Sequence, residues 1–538
     1  MNKVAFNIFL FVCGFLVIVA GLGLTMIIAP GADILGVRYI RSTSGSYHER
    51  QSVYCAESGV QEFNINCDNI PINIVFVQSY TFSVDMNEEY NGFTKTVENP
   101  DLAVEDAGSK ITFAVQEYVP FIYHNRMTDS ALTISIPIYY SGRVAVQSRN
   151  SKVVVDGLNG TLGELIISTG GKVEVNDVAI PKLHLNLGSG RATINTGAKI
   201  GELSIESESA NISVLENIDG KITYKANSGS LNFKSCKELE VDATSAKVGS
   251  TGEELAKVNG EASIKTNSKV VLEIFGNTKI ESSNGDIVLG NESINYACNV
   301  EIETKKGDVT LKGVRGGNVT VTTKSGDVKA ETLSTFDIKT EYGYVKIDSC
   351  SNGTIKSGSG NVYVKQALSE ISVDTRSGDV ILGDSENVFA TNVNVVTVGG
   401  NVSILNGIDG EVSIKTKSGD VSFSGSAQNN SSIFVSSTKG NVYGENLAGN
   451  VKVATYGSVT LQMINLSNGV EIKAKDKAVT IISENQNLGY NLKTNKAKNI
   501  EVYGEIIKDK NYLTDINANV NIYTSKGKII ITDKAEEK

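Results

Sequence analysis

The chain has 538 residues with 52 Gly, 6 Pro, 3 His and no Trp, and is 40% hydrophobic and 20% charged. That is too apolar for disorder, and Gly beside abundant Val, Ile, Thr, Ser and Asn points to β structure. A formal net charge of −10 argues against a nucleic-acid or phosphate surface, and three histidines leave little for His-based catalysis or metal binding.

After Met1-Asn2-Lys3, residues 4–29 carry no charged side chain. At ~1.5 Å per residue a helix of this length spans a ~30 Å hydrocarbon core, and it exceeds the ~7–15 residue core of a cleavable signal. Ala29-Pro30-Gly31-Ala32 is a poor cleavage site, and Val12 before Cys13 does not suit a lipoprotein signal. The expectation is one uncleaved transmembrane helix at 4–29, with 1–3 in the cytoplasm and the bulk of the chain outside it. Lys3 favours this N-in orientation, weakly opposed by Arg38 and Arg41.

A linker over 30–61 leads to a β-rich N-terminal cap at 62–150, with strand patterns at 63–65, 72–77, 111–115 and 132–138. Cys55 and Cys67 lie close together in this irregular part, on the oxidising side of the membrane. A disulfide between them is predicted.

From 151 to 527 the chain repeats. A Gly-[Asp/Asn]-[Val/Ile] turn recurs at Gly285, Gly307, Gly326, Gly360, Gly378, Gly400, Gly419 and Gly440, with degenerate copies at Gly343 and Gly457 and earlier at Gly171, Gly190 and Gly229. Spacings of 22, 19, 17 and 17 between Gly285, Gly307, Gly326, Gly343 and Gly360 set a period near 19 residues. Apolar and polar residues alternate on both sides of each turn, as in Val412-Ser413-Ile414 and Val421-Ser422-Phe423. A third inward position about ten residues before the glycine holds Ile218, Val314, Leu333, Leu368, Ile408 or Leu447. Two strands and an anchored corner close one coil of an all-β parallel β-helix, a β-solenoid of about 20 coils. At ~4.8 Å per coil the rod is on the order of 90–100 Å long. Thr or Ser three residues before the glycine is expected to hydrogen-bond up the stack. The glycine itself is expected at positive φ, with the following Asp or Asn accepting local N–H groups. A charged tail at 528–538 closes the far end.

The Ser-Gly-Asp-Val turns followed by alternating strands, with the opening strands at 63–65, 72–77, 111–115 and Leu132-Thr133-Ile134-Ser135-Ile136-Pro137, resemble a bacterial adhesin-like family of β-solenoid domains of unknown function. The resemblance runs over about 62–526. It implies the solenoid fold and a surface role, and carries no catalytic residues.

Asp286, Asp308, Asp327, Asp379 and Asp420 are read as turn residues, because the Gly-Gly-x-Gly-x-Asp repeat of calcium-binding β-rolls is absent. Cys236, Cys298 and Cys350 fall at or near the inward corner and read as small apolar core residues. Outward charges such as Asp374 and Arg376 could serve a polysaccharide-active β-helix enzyme, but scattered solvated charge explains them. Tyr342, Tyr363, Tyr443 and Tyr456 form a possible exposed binding strip. The resulting expectation is a non-enzymatic, membrane-anchored, adhesin-like surface protein without metal or cofactor. It would bind a cell-surface or envelope polymer or protein along a repetitive face, by many weak contacts. The alternatives are an envelope scaffold or stress-response accessory and, behind it, the enzyme.

Overall fold

The computed structural model describes residues 11–18, 33–34, 37–55, 59–95, 102–115, 120–126, 130–157 and 162–533, the last with gaps at 385, 387–391, 407–409, 426–430, 466–468, 485–487 and 516–517. Strands alternate a buried and an outward residue. In Glu411–Thr416 the side chains of Val412 and Ile414 are fully buried while Ser413 and Lys415 face out, and Val421–Ser424 repeats the pattern after the turn. Each strand pairs in parallel with its counterpart one coil away: Val412 sits opposite Val393 on one side and Ile433 on the other. Parallel stacking in register keeps inward residues inward from one coil to the next, so an apolar interior builds up along the stack.

The architecture is an all-β parallel β-solenoid of about 16 turns, fewer than the 20 or so expected. Dividing chain length by period overcounts in part because Glu505–Ile507 and Asn511–Leu513, which pair antiparallel with Ile500–Val502 and Tyr490–Thr494, use chain without adding turns. Residues 11–18 are helical; the remainder of the expected 4–29 span lies outside the described residues. Among the described residues no helix is long and apolar enough to cross a membrane.

The chain divides into two compact units, Met1–Ala243 with Thr251–Glu254, and Thr244–Ser250 with Leu255–Lys538. In the first, coiling begins at the first cap strands. Glu62–Asn66 and Ile72–Val77 form a coil flanked on one side by Lys110–Val115 and Ala131–Pro137, and on the other by Arg143–Gln147 and Val153–Asp156. Antiparallel strands cover the outer edge: Leu102–Asp106 on Lys110–Val115, and Thr81–Lys95 on Ala131–Pro137. Val37–Tyr54 pairs in turn with Thr81–Lys95.

The second unit carries the regular turns, and their chemistry differs from expectation in three ways. The repeat glycines from Gly285 to Gly457 do not adopt positive φ, although the earlier Gly229 does, at 122°. They stack in a column so tight that a Cβ on Gly360 would lie 1.8 Å from the Gly343 carbonyl oxygen, and one on Gly419 would lie 1.9 Å from that of Gly400. Glycine is therefore required by close approach between coils. The buried Thr or Ser three residues earlier accepts the glycine N–H of its own turn, at 3.1 Å for Thr375 with Gly378 and 2.8 Å for Ser437 with Gly440. The Asp or Asn after the glycine reaches the next coil instead of its own turn. Asn361, Asp379, Asn401 and Asp420 Oδ1 accept the N–H of Asp379, Asn401, Asp420 and Asn441 at 2.9, 2.8, 2.9 and 2.7 Å.

Most inward assignments hold; Ile218, Val314, Leu333 and Leu447 are buried. Leu368 is 60% exposed, and Ala367 takes its place. The pairing shifts by one residue after Cys350 opposite Ala367, so Asn352 faces Glu370 and the extra residue pushes Leu368 outward. Ile408 lies outside the described residues.

Candidate functional site

The four tyrosines do not make one strip. Tyr363 and Tyr443 share an outward column, but Ile381, Ser403 and Ser422 separate them. Four strand spacings place them about 19 Å apart. Tyr342 and Tyr456 each precede a column glycine, Gly343 and Gly457, with five further column glycines between them. Tyr342, Tyr443 and Tyr456 are exposed, and the Tyr443 hydroxyl donates to Glu445 at 3.2 Å.

Cys55 and Cys67 are not joined to each other. The Cys55 thiol donates to the Val53 carbonyl at 3.8 Å at the rim of the cap, whereas Cys67 is buried at the end of Glu62–Asn66. Cys236, Cys298 and Cys350 are buried, and burial pushes their thiols up to about 12, 11 and 12.

What the solenoid does assemble is a groove around Tyr456. The strands Glu411–Thr416, Ser431–Ser437, Val442–Thr455, Val470–Ala474 and Val520–Thr524 place two outward columns side by side. One runs Lys415, Ser436, Ala454, Lys473, Tyr523; the other runs Ser413, Phe434, Lys452, Glu471, Asn521. Small Ser436 and Ala454 between long lysines and Tyr523 leave a trough. A cleft of about 200 Å³ lies over Ser436, Phe434 and Lys452, and a second of about 400 Å³ shares Ser436, Ala454 and Lys473 with it and extends to Tyr456, Lys475 and Tyr523.

The groove is cationic within an acidic chain. Lys415, Lys452, Lys473 and Lys475 line it against Glu471 as the one carboxylate. Lys473 and Lys452 share Glu471 at 2.9 and 3.6 Å; hydrogen bonding to Lys473 holds that carboxyl below its usual range despite partial desolvation. The Lys475 ammonium lies 4.4 Å from the Tyr456 ring centre, and that of Lys452 lies 5.9 Å from Phe434. Fixed ammonium groups beside half-exposed rings can hold an acidic group while a flat apolar face stacks next to it. Of these residues only Tyr456 was singled out in the sequence. The others are far apart along the chain, and their shared signal was only that each occupies an outward position of its strand.

The comparisons bear on the fold. Residues 238–409, and again 365–502, match the family model described as Toastrack DUF4097. This stretch is similar to the Toastrack family. The match is to the family as a whole and not to a Ser-Gly-Asp-Val repeat type. A solved structure of a candidate cell-adhesion protein from Clostridium sporogenes aligns over 38% of this chain and 98% of its own, at 12% identity and a TM-score of 0.21. No curated protein matches.

Proposed function

We propose that this protein is an adhesin-like binding protein of the cell surface, anchored by residues 4–29 with its solenoid outside the cytoplasm. Its partner in this reading is an acidic envelope or surface polymer. The observation that carries the reading is the groove of Lys415, Lys452, Lys473 and Lys475 among Phe434, Tyr456 and Tyr523, spread over successive coils of a chain whose net charge is −10. A stacked surface offers a long polymer many equivalent weak contacts, and avidity replaces a single deep pocket. The Toastrack similarity, to a domain family without assigned chemistry, is compatible with this role.

The test is titration of the full-length protein in detergent with an acidic polysaccharide, a neutral one of equal length, and both at low and high salt. Saturable binding of the acidic polymer, weakened by salt and by Lys452→Gln with Lys473→Gln, is expected. Equal binding of both polymers, or binding indifferent to the double substitution, would refute the groove. Anchoring is read separately: the chain should sediment with membranes and be cut by protease added outside intact cells, and release into the soluble fraction would overturn it.

A further inference from the structure

The N-terminal cap holds an aromatic cleft that the sequence reading did not anticipate. Tyr80, in the turn between Ile72–Val77 and Thr81–Lys95, stacks on Tyr139 with ring centres 5.7 Å apart and planes at 20°. Tyr54 lies 6.4 Å from Tyr80. All three rings are exposed, at 50, 56 and 66% for Tyr54, Tyr80 and Tyr139. The stacked pair forms one wall of a cleft of about 500 Å³, completed by Cys55, Gln61, Pro137, Tyr140 and Ser141. That volume falls within the ~300–1,000 Å³ range of small-ligand pockets.

Two features make this a formed cleft and not merely loose surface. Tyr140 is buried, and its hydroxyl donates to the Arg143 carbonyl at 3.2 Å, which fixes the floor. Gly142 packs tightly beside it, since a Cβ there would lie 2.3 Å from the Tyr140 hydroxyl and 2.6 Å from the Gln61 carbonyl oxygen. The Cys55 N–H donates to the Tyr80 carbonyl at 2.7 Å and ties the strand end beside the cleft to the turn that carries the ring.

The lining decides the ligand class. Among the described residues it contains no Lys, Arg, Asp, Glu or His, so an ionised ligand held by them would lose water without gaining a counter-charge. It does offer stacked π faces, a carboxamide and hydroxyls. That combination suits a molecule with one flat C–H face and a polar edge. We propose that this cleft binds a neutral hexose unit of a glycan, its C–H face against Tyr80 and Tyr139 and its hydroxyls toward Gln61 and Ser141. This site is separate from the cationic groove and does not depend on it.

The experiment is calorimetric titration of the full-length protein in detergent with neutral oligosaccharides of glucose, galactose and mannose type, and with an acidic oligosaccharide as the contrast. Saturable binding of at least one neutral sugar is expected, with about a two- to tenfold loss for Tyr139→Ala or Tyr80→Ala. Tyr443→Ala should leave it unchanged, and so should Lys473→Gln, which separates this site from the groove. Tyr139 is exposed, so its substitution should leave the β-sheet circular dichroism intact; Gln61→Ala, which removes the carboxamide from an exposed position of the lining, is the second variant. Absence of neutral-sugar binding by folded protein would overturn the proposal. So would preference for the acidic sugar that persists in the Lys452→Gln, Lys473→Gln protein, or binding unchanged in both Tyr139→Ala and Gln61→Ala.

Discussion

Within the second unit, the middle coils and the last coils are held by different means. From Gly285 to Gly457 the coils stack in chain order, the turns secured by the glycine column, the buried hydroxyl and, where Asp or Asn follows the glycine, a link to the next coil. At the C-terminus the order breaks. Val520–Thr524 and Ile529–Thr532, the last strands of the chain, insert between Val470–Ala474 with Val479–Ser483 on one side and Tyr490–Thr494 with Ile500–Val502 on the other. The final coil thus has partners on both faces, and the penultimate one lies outermost. Short antiparallel strands, Glu505–Ile507 and Asn511–Leu513, cover its edges. The first unit uses the same device on its opening coils, with the much longer cover strand Thr81–Lys95. The middle secures each turn locally, whereas the ends enclose the terminal coil so that it cannot peel away alone. An uncovered strand edge would also invite pairing with another chain.

The contrast can be broken most severely at the inserted coil. Ending the chain at residue 513 removes Val520, Ile522, Ile529 and Ile531, all buried, and leaves the strands at 470–483 and 490–502 without a shared neighbour. The lost burial is on the order of 6–12 kcal/mol. Limited proteolysis should then cut within 470–502 while the coils before Gly457 stay resistant. Resistance throughout would mean the inserted coil does not hold the end.

The middle is broken by a single methyl group. Gly360→Ala should cost about 3–5 kcal/mol, because the Cβ would collide with backbone on the adjacent coil and not with a movable side chain. Gly252→Ala, where nothing lies within 4 Å, should stay within about 0.5 kcal/mol. Paired thermal melts of the two variants read the difference directly. Thr375→Val removes the acceptor of the Gly378 N–H in a buried turn and should cost about 1–3 kcal/mol by denaturant titration.

The smallest effect concerns the interior thiols. Burial raises Cys298 and Cys350 from 9.0 to about 11 and 12, so the folded state holds these protons where an unfolded chain releases them. Their contribution to stability is complete below pH about 9 and is lost as pH rises toward 11–12. Near neutral pH both thiols should resist alkylation in folded protein and react once it is denatured, as mass spectrometry of the labelled chain would show.

The regular part was legible in the sequence because the solenoid is built from a local rule. Val309, Val362, Val380 and Val402 follow their glycines at a constant offset, and an inward residue in one coil is inward in the next. The exception at Leu368 came from one inserted residue, which the repeat average hides. The reason for the glycines was not legible, since sequence does not reveal that two successive turns approach within a Cβ radius. The candidate sites were less visible still. Lys415, Lys452, Lys473 and Tyr523 meet only after stacking, and Tyr54, Tyr80 and Tyr139 only after the cap strands cross.

By itself, then, the sequence determined the strand, the turn, the period and the inward face, because alternation and turn-forming residues act over a few positions. Tertiary structure alone decided the order of the end coils and which outward residues share a groove. These depend on which strand comes to lie beside which. That choice is made by pairing energies between segments tens of residues apart, and an inserted coil satisfies the same alternation rule as one stacked in order.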